Sequence, residues 1–393
     1  MLQFHKVHNP LKKVPPKLLV GRVSYAIGMA IVASIWALYL KSFGLSDTLV
    51  GVYAALPLFV TFIFSFFVYE FISGRDEFKL FKINTFLMAL IYFLIFIFNN
   101  LYVFLILGSI GAALKLLNIV LFNILLKDNS TKKSYPKYLG FVFIFLDIGW
   151  LIGPLMIGYF SENFGLQYLY LVSSVGLFLS SLYYYLIHPT LKKKETKKVE
   201  FKPLTFGKDF LKSRELVISY IASTGVNFWY SFVNIFMPLY ILQSELPVAW
   251  VGYYLASINL PLMIILLFMG KISHLFSARS VFFYSFIISG LLAFAAFFIS
   301  NIYMVLLITI IASIFIGILE AYRIAYFFSL VKPKEEEEYY PLYITVIDVG
   351  SIIGRLVFAF FLIFLPISSI LLIIAFAMFI YALFSIKIEN KVI

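Results

Sequence analysis

Asp147-Ile148-Gly149, closed four residues later by Gly153, returns as Asp348-Val349-Gly350 closed by Gly354, with an offset of 201 residues. Two other places keep that offset. Leu38-Tyr39-Leu40 becomes Leu239-Tyr240-Ile241, and Val50-Gly51 becomes Val251-Gly252. Three separate coincidences at one spacing mark an internal duplication, which has to be recognised before any site is sought. Between the two copies lies the longest polar stretch, His188 to Glu215, which carries Lys192-Lys193-Lys194 and Lys197-Lys198. The chain therefore reads as three parts: an N-terminal unit over 1–187, a linker over 188–214 and a C-terminal unit over 215–393.

Composition fixes the medium in which these units fold. Of the 393 residues, 63% are hydrophobic and only 13% charged, whereas soluble domains are about half apolar and about a quarter charged. A membrane helix needs about 20 apolar residues. Such segments recur at 18–40, 49–72, 80–98, 101–126, 138–160, 166–187, 215–243, 249–273, 280–299, 303–331, 339–363 and 367–386. The expected fold is all-α: a polytopic membrane protein of twelve transmembrane helices in two pseudo-symmetric six-helix bundles. The first span is too long for a signal peptide and has no small-residue cleavage site before Lys41.

Charge gives the orientation. Of the 31 Lys and Arg residues, 27 lie in or beside segments on one side, Arg22 being counted with the N-terminal tail. Lys41 alone marks the other side. By the positive-inside rule both termini face the cytoplasm, in the cell's plasma membrane. Spread over seven segments, the net charge of +12 is a topology signal, with anionic lipid as its partner and no role for nucleic acid. The acidic run Glu335–Glu338 reads as a solvated loop. The chain has no cysteine and only four histidines, His5, His8, His188 and His274. No spacing suits a metal, and no phosphate-binding loop precedes Lys-Ser/Thr. An enzyme, a metal site, a cofactor and an ATP-driven pump are all unexpected.

With its 6+6 layout and basic central loop, the chain resembles the major facilitator superfamily over essentially its whole length. The exit Leu45-Ser46-Asp47-Thr48-Leu49-Val50-Gly51 carries the resemblance further. In the fifth span Gly140, Gly149, Gly153, Pro154 and Gly158 fall at the spacing of the family's antiporter motif, with Ile157 replacing one terminal glycine. That motif is similar to the drug:proton antiporter branch, which implies export in exchange for protons. The family's loop 2–3 signature survives only as Gly74-Arg75. Physically, the glycines permit close helix approach and Pro154 bends the helix.

Six ionisable residues fall inside spans: Lys115, Asp147, Glu320, Arg323, Asp348 and Arg355. Each costs about 2.5–3.5 kcal/mol at a helix centre on insertion scales unless it is paired or hydrated. Depth along the helices suggests the pairs Lys115–Asp147 and Arg323–Asp348, while Glu320 and Arg323 share a face at i, i+3. Arg355 is left for Glu320 or an anionic solute, and Glu320 with Asp147 or Asp348 would carry a proton. Ser223, Asn227, Tyr230 and Asn234 form one polar face of the seventh span. Asn118 in the fourth span, and Tyr25 and Trp36 in the first, add to the expected cavity, which the resemblance places between spans 1, 4, 7 and 10. The expectation is a monomeric secondary transporter for a small organic solute, proton-coupled and exporting. The alternative is an uptake symporter or facilitator for a sugar, peptide or organic anion.

Overall fold

The computed structural model describes residues 14–131, 134–187, 203–332, 336–390 and 392. The lysine runs of the linker, Glu335 and the N-terminal His5 and His8 lie outside the described residues. Among those described, ten helices are long and apolar enough to cross a bilayer. They are α1 (Val14–Ser42), α2 (Asp47–Ser65), α3 (Glu77–Phe98), α4 (Leu101–Asp128), α5 (Tyr135–Asn163), α6 (Gln167–Leu186), α7 (Arg214–Gln243), α9 (Ala278–Phe297), α10 (Ile302–Leu330) and α12 (Ile370–Ser385). Two more, α8 (Ala249–Leu275) and α11 (Val346–Phe361), complete the expected twelve. Large apolar side chains such as Ile63, Ile106, Ile380 and Leu383 stand more than half exposed on the outer faces. Such a coat belongs in lipid.

The duplication is visible in which helices touch. α1 packs on α5 as α7 packs on α11, α3 on α6 as α9 on α12, α3 on α4 as α9 on α10, and α2 on α4 as α8 on α10. Each contact has its mate six helices later. The two most extensive contacts between the halves, α5 with α8 and α2 with α11, are mates as well.

Helix starts repeat too. Asn100 accepts from the amides of Tyr102 and Val103 at 3.0 and 3.3 Å, and Asn301 accepts from Tyr303 and Met304 at the same two distances. Asp76 and Ser277 cap α3 and α9 through the Lys79 and Ser280 amides. An asparagine, aspartate or serine here satisfies amides that the helix cannot, and both pairs are 201 residues apart.

Three expected spans are interrupted. The second stops at Ser65, where the Phe66 and Phe67 amides turn back to Ile63 and Phe64, and a short helix Val68–Ile72 follows. The eleventh is split at Ile344–Thr345 between Glu336–Tyr343 and α11. There the Thr345 hydroxyl donates to the Leu342 carbonyl at 2.6 Å, competing with the helical ladder. The seventh contains a π-turn, Phe232–Phe236. All three breaks lie in apolar sequence, so hydropathy alone runs straight through them.

Candidate functional site: the seam between the halves

Close approach between the halves is concentrated where α2 and α8 begin, at the end opposite the chain termini. A methyl group on Gly158 of α5 would stand 2.6 Å from the Ala249 side chain of α8, and Gly252 packs against the Pro154 carbonyl. At the mated contact, Gly51 of α2 meets Phe236 and Ala359, and the Arg355 guanidinium of α11 donates to the Ala54 carbonyl. Above them, Asp47 accepts from Lys41 and from Gln243 of α7, both at 2.6 Å. The other motif glycines act within a half. Gly149 and Gly153 abut the backbone of α1 at Ala26 and Ala30–Ile31, as Gly350 and Gly354 abut α7. Gly140 has nothing within 4 Å.

The ionisable groups stand at the seam; of the expected contacts the i, i+3 neighbours Glu320 and Arg323 meet, and the two depth-matched pairs do not. Arg323 forks onto Glu320 through Nη2 and Nε, at 2.7 and 3.1 Å, one turn away on α10. Among the described residues neither Lys115–Asp147 nor Arg323–Asp348 forms. Lys115 of α4 instead lies in the electrostatic field of Asp348 and Arg355, both on α11 of the opposite half. Asp147 looks the other way and acts, with Glu320 and Arg323, on Tyr230 of α7. Both carboxylates of the repeated motif are partly buried, and each acts on a group of the other half, Asp147 on Tyr230 and Asp348 on Lys115.

The polar face of α7 divides. Ser223 is fully buried, donating to Tyr343 at 2.7 Å, and Tyr343 donates to the Arg323 carbonyl at 3.0 Å. Asn227 packs under Gly350, and its amide nitrogen is buried without a partner. Tyr230 and Asn234 keep exposed surface. Asn234 lies in the π-turn, where the wider i→i+5 bonding departs from regular α-helical geometry; such turns are frequent at functional sites. On the other side, Trp36 is wedged on Gly108, its ring 4.4 Å from that of Phe104, and so packs the N-terminal half.

Arg22 was counted with the N-terminal tail, yet it is 3% exposed inside α1. It donates to Asn118, which donates in turn to Thr85 at 2.9 Å, and its guanidinium lies 4.0 Å from the Tyr25 ring and 4.3 Å from that of Phe122. Tyr25 and Asn118 therefore serve this internal network. The tail's charge pattern hid Arg22. Its repeat mate is Ser223, and Phe122 is the mate of Arg323, so each half buries one arginine at the same corner.

Two helical halves related by a repeat, meeting along a charged seam inside a bilayer, define a membrane carrier. Residues 18–266, more than half of the chain, match the family model of the Major Facilitator Superfamily, and the chain belongs to that family. It is a multi-pass membrane transporter. Solved structures agree in fold at low identity. The nucleoside transporter NupG matches with a TM-score of 0.77 at 12% identity, covering 93% of this chain and 98% of that one. A bacterial homolog of the human lysosomal transporter Spinster, inward-facing and unoccupied, gives 0.73 at 12%, covering 96% and 95%. A POT family transporter in complex with a thioalcohol-conjugated peptide gives 0.73 at 12%, covering 94% of both. No curated protein matches the chain in sequence.

Proposed function

We propose that the protein moves a small organic solute by alternating access coupled to protons, as a monomer in the plasma membrane with both termini in the cytoplasm. The halves correspond to 1–187 and 215–393, joined by the linker 188–214. The two halves rock about the seam and expose it to one side at a time, as such duplicated carriers do.

Asp348 carries the proton. The supporting observation is its place on α11: partly buried, facing Lys115 across the seam, beside Arg355 and near Tyr220, with no ion-pair partner among the described residues. A carboxylate in low dielectric favours its neutral form, and a nearby cation favours its charged form. Movement of α11 against α4 changes the distance from Asp348 to Lys115, and so gives it two environments. Asp147 stands in the mated position and serves as the second carboxylate. Glu320, engaged by both arms of its contact with Arg323, positions that arginine. Tyr230 and Asn234 contact the solute.

Export in exchange for protons is the direction that the α5 resemblance implies. Co-transport of an organic anion with a proton is the second reading, favoured by the two cations around Asp348. Both are tested in proteoliposomes holding a pH-sensitive dye, with candidate solutes added outside. Exchange makes the interior alkaline, and co-transport makes it acidic. A solute that crosses with no proton movement in the wild type, or proton movement unchanged in Asp348→Asn, would discard the coupling.

A further inference from the structure

Around Asp348 two cations face one carboxylate. Lys115 enters from α4 and Arg355 from α11, and the carboxylate acting on both is Asp348. Among the described residues none of the three forms an ion pair within 4 Å. Arg355 spends one nitrogen, Nη1, on the Ala54 carbonyl, while its Nε is buried without an acceptor. Pro57 lies one turn further along α2. It lacks an amide and crowds the preceding turn, which leaves the Tyr53 carbonyl without its helical donor and loosens the ladder beside Ala54. Arg355 is thus anchored by one end and leaves a donor edge unused. Its repeat mate is Pro154, which closes the corresponding contact in the other half by backbone packing alone. The guanidinium is therefore not what this contact needs in order to pack.

A cation in excess inside a membrane marks a functional site unless something neutralises it. A planar guanidinium edge matches a carboxylate in geometry, and an ammonium adds a second, less directional contact. We infer that Lys115 and Arg355, reaching in from opposite halves, form a recognition site for a carboxylate group of the transported solute. Asp348 is the internal acid with which that group competes. The inference rests on the transport reading above and takes its second direction. A solute carboxylate that occupies the two cations leaves Asp348 to take up a hydronium proton from the solution on the same side, so solute and proton enter together. Because the two cations belong to different halves, the bound carboxylate also ties the halves to one another.

The test is thermal unfolding of the full chain in detergent, with no gradient present, so its outcome is independent of the proton-flux experiment. The probes are succinate, benzoate and lactate, each beside its amide. At about 10 mM, the acid that fits should raise the Tm by about 1–3 °C, its amide should not, and Arg355→Gln and Lys115→Gln should each abolish the shift. In the wild type the shift should grow as the buffer is acidified toward the point where Asp348 takes its proton, which a merely structural role would not produce. Should either glutamine variant fail to fold, Arg355→Lys, which keeps the charge and loses the fork, should show a reduced shift. Equal stabilisation by acid and amide, a shift that survives in both variants, or no shift from any acid would overturn the proposal. Loss of the shift on adding phosphatidylglycerol, with that lipid stabilising the wild type alone, would assign the site to a lipid headgroup and overturn it too.

Discussion

The contacts α5–α8 and α2–α11 are two copies of one arrangement, and at one pair of positions one copy has gained a charge. At α5–α8, Pro154 and Gly158 meet Gly252 and Ala249, and the helices touch through backbone and methyl groups. At α2–α11 the mate of Pro154 is Arg355, which reaches the Ala54 carbonyl and stands in the field of Asp348 and Lys115. The glycine mates persist, Gly51 beside Ala359 and Gly252 beside Pro154. Duplication supplied two contacts of the same shape. One kept only the shape, and the other acquired charge.

If that division is correct, changes at the two contacts should fail differently. The largest effect belongs to the charged one: Asp348→Asn should reduce solute-driven proton flux to that of empty liposomes while the protein stays folded and its unfolding temperature holds. Glu320→Gln comes next, because it strands the buried Arg323 without its counter-charge. A loss of about 3 kcal/mol is expected in unfolding, and the Arg323→Gln, Glu320→Gln double variant should recover part of it. At the uncharged contact Gly252→Leu should cost about 1–3 kcal/mol by overpacking and slow transport of whatever solute is carried, while leaving the proton-to-solute ratio as it was. A changed ratio there would erase the proposed contrast between the two contacts.

The smallest effect tests the repeat itself. Asn100→Ala and Asn301→Ala should each cost about 1 kcal/mol, and nearly the same amount, because both caps bond the same two amides at the same distances. A pair that differed severalfold would show that the halves are alike in outline only.

Much of this architecture could be read from the residues, because duplication leaves a constant offset and lipid demands apolar length. The same offset runs through the caps Asp76/Ser277 and Asn100/Asn301, which carry no hydrophobic pattern. The charge pairing could not be read. Depth counting gives height in the membrane but no direction around the helix, so Lys115 and Asp147 matched in height while facing different neighbours. Nor could periodicity follow α7 beyond Phe232, where the π-turn departs from the 3.6-residue repeat on which the predicted polar face depended. Arg22 is masked for a third reason: it adjoins a basic tail, and a count of loop charges assigns it there. Only its burial against Asn118, Tyr25 and Phe122 separates it from the lysines before it.

The proposed roles need rigid rocking of the halves about the seam, and paired distances can observe it directly. The chain has no cysteine, so spin labels can be introduced without removing any. Tyr102 and Tyr303 are exposed mates at the end opposite the termini, and Phe67 and Phe276 are exposed at the end that carries them. Labels on these two pairs should change in opposite senses when the pH is lowered, one distance lengthening as the other shortens. Two distances that stayed fixed, or lengthened together, would contradict the account.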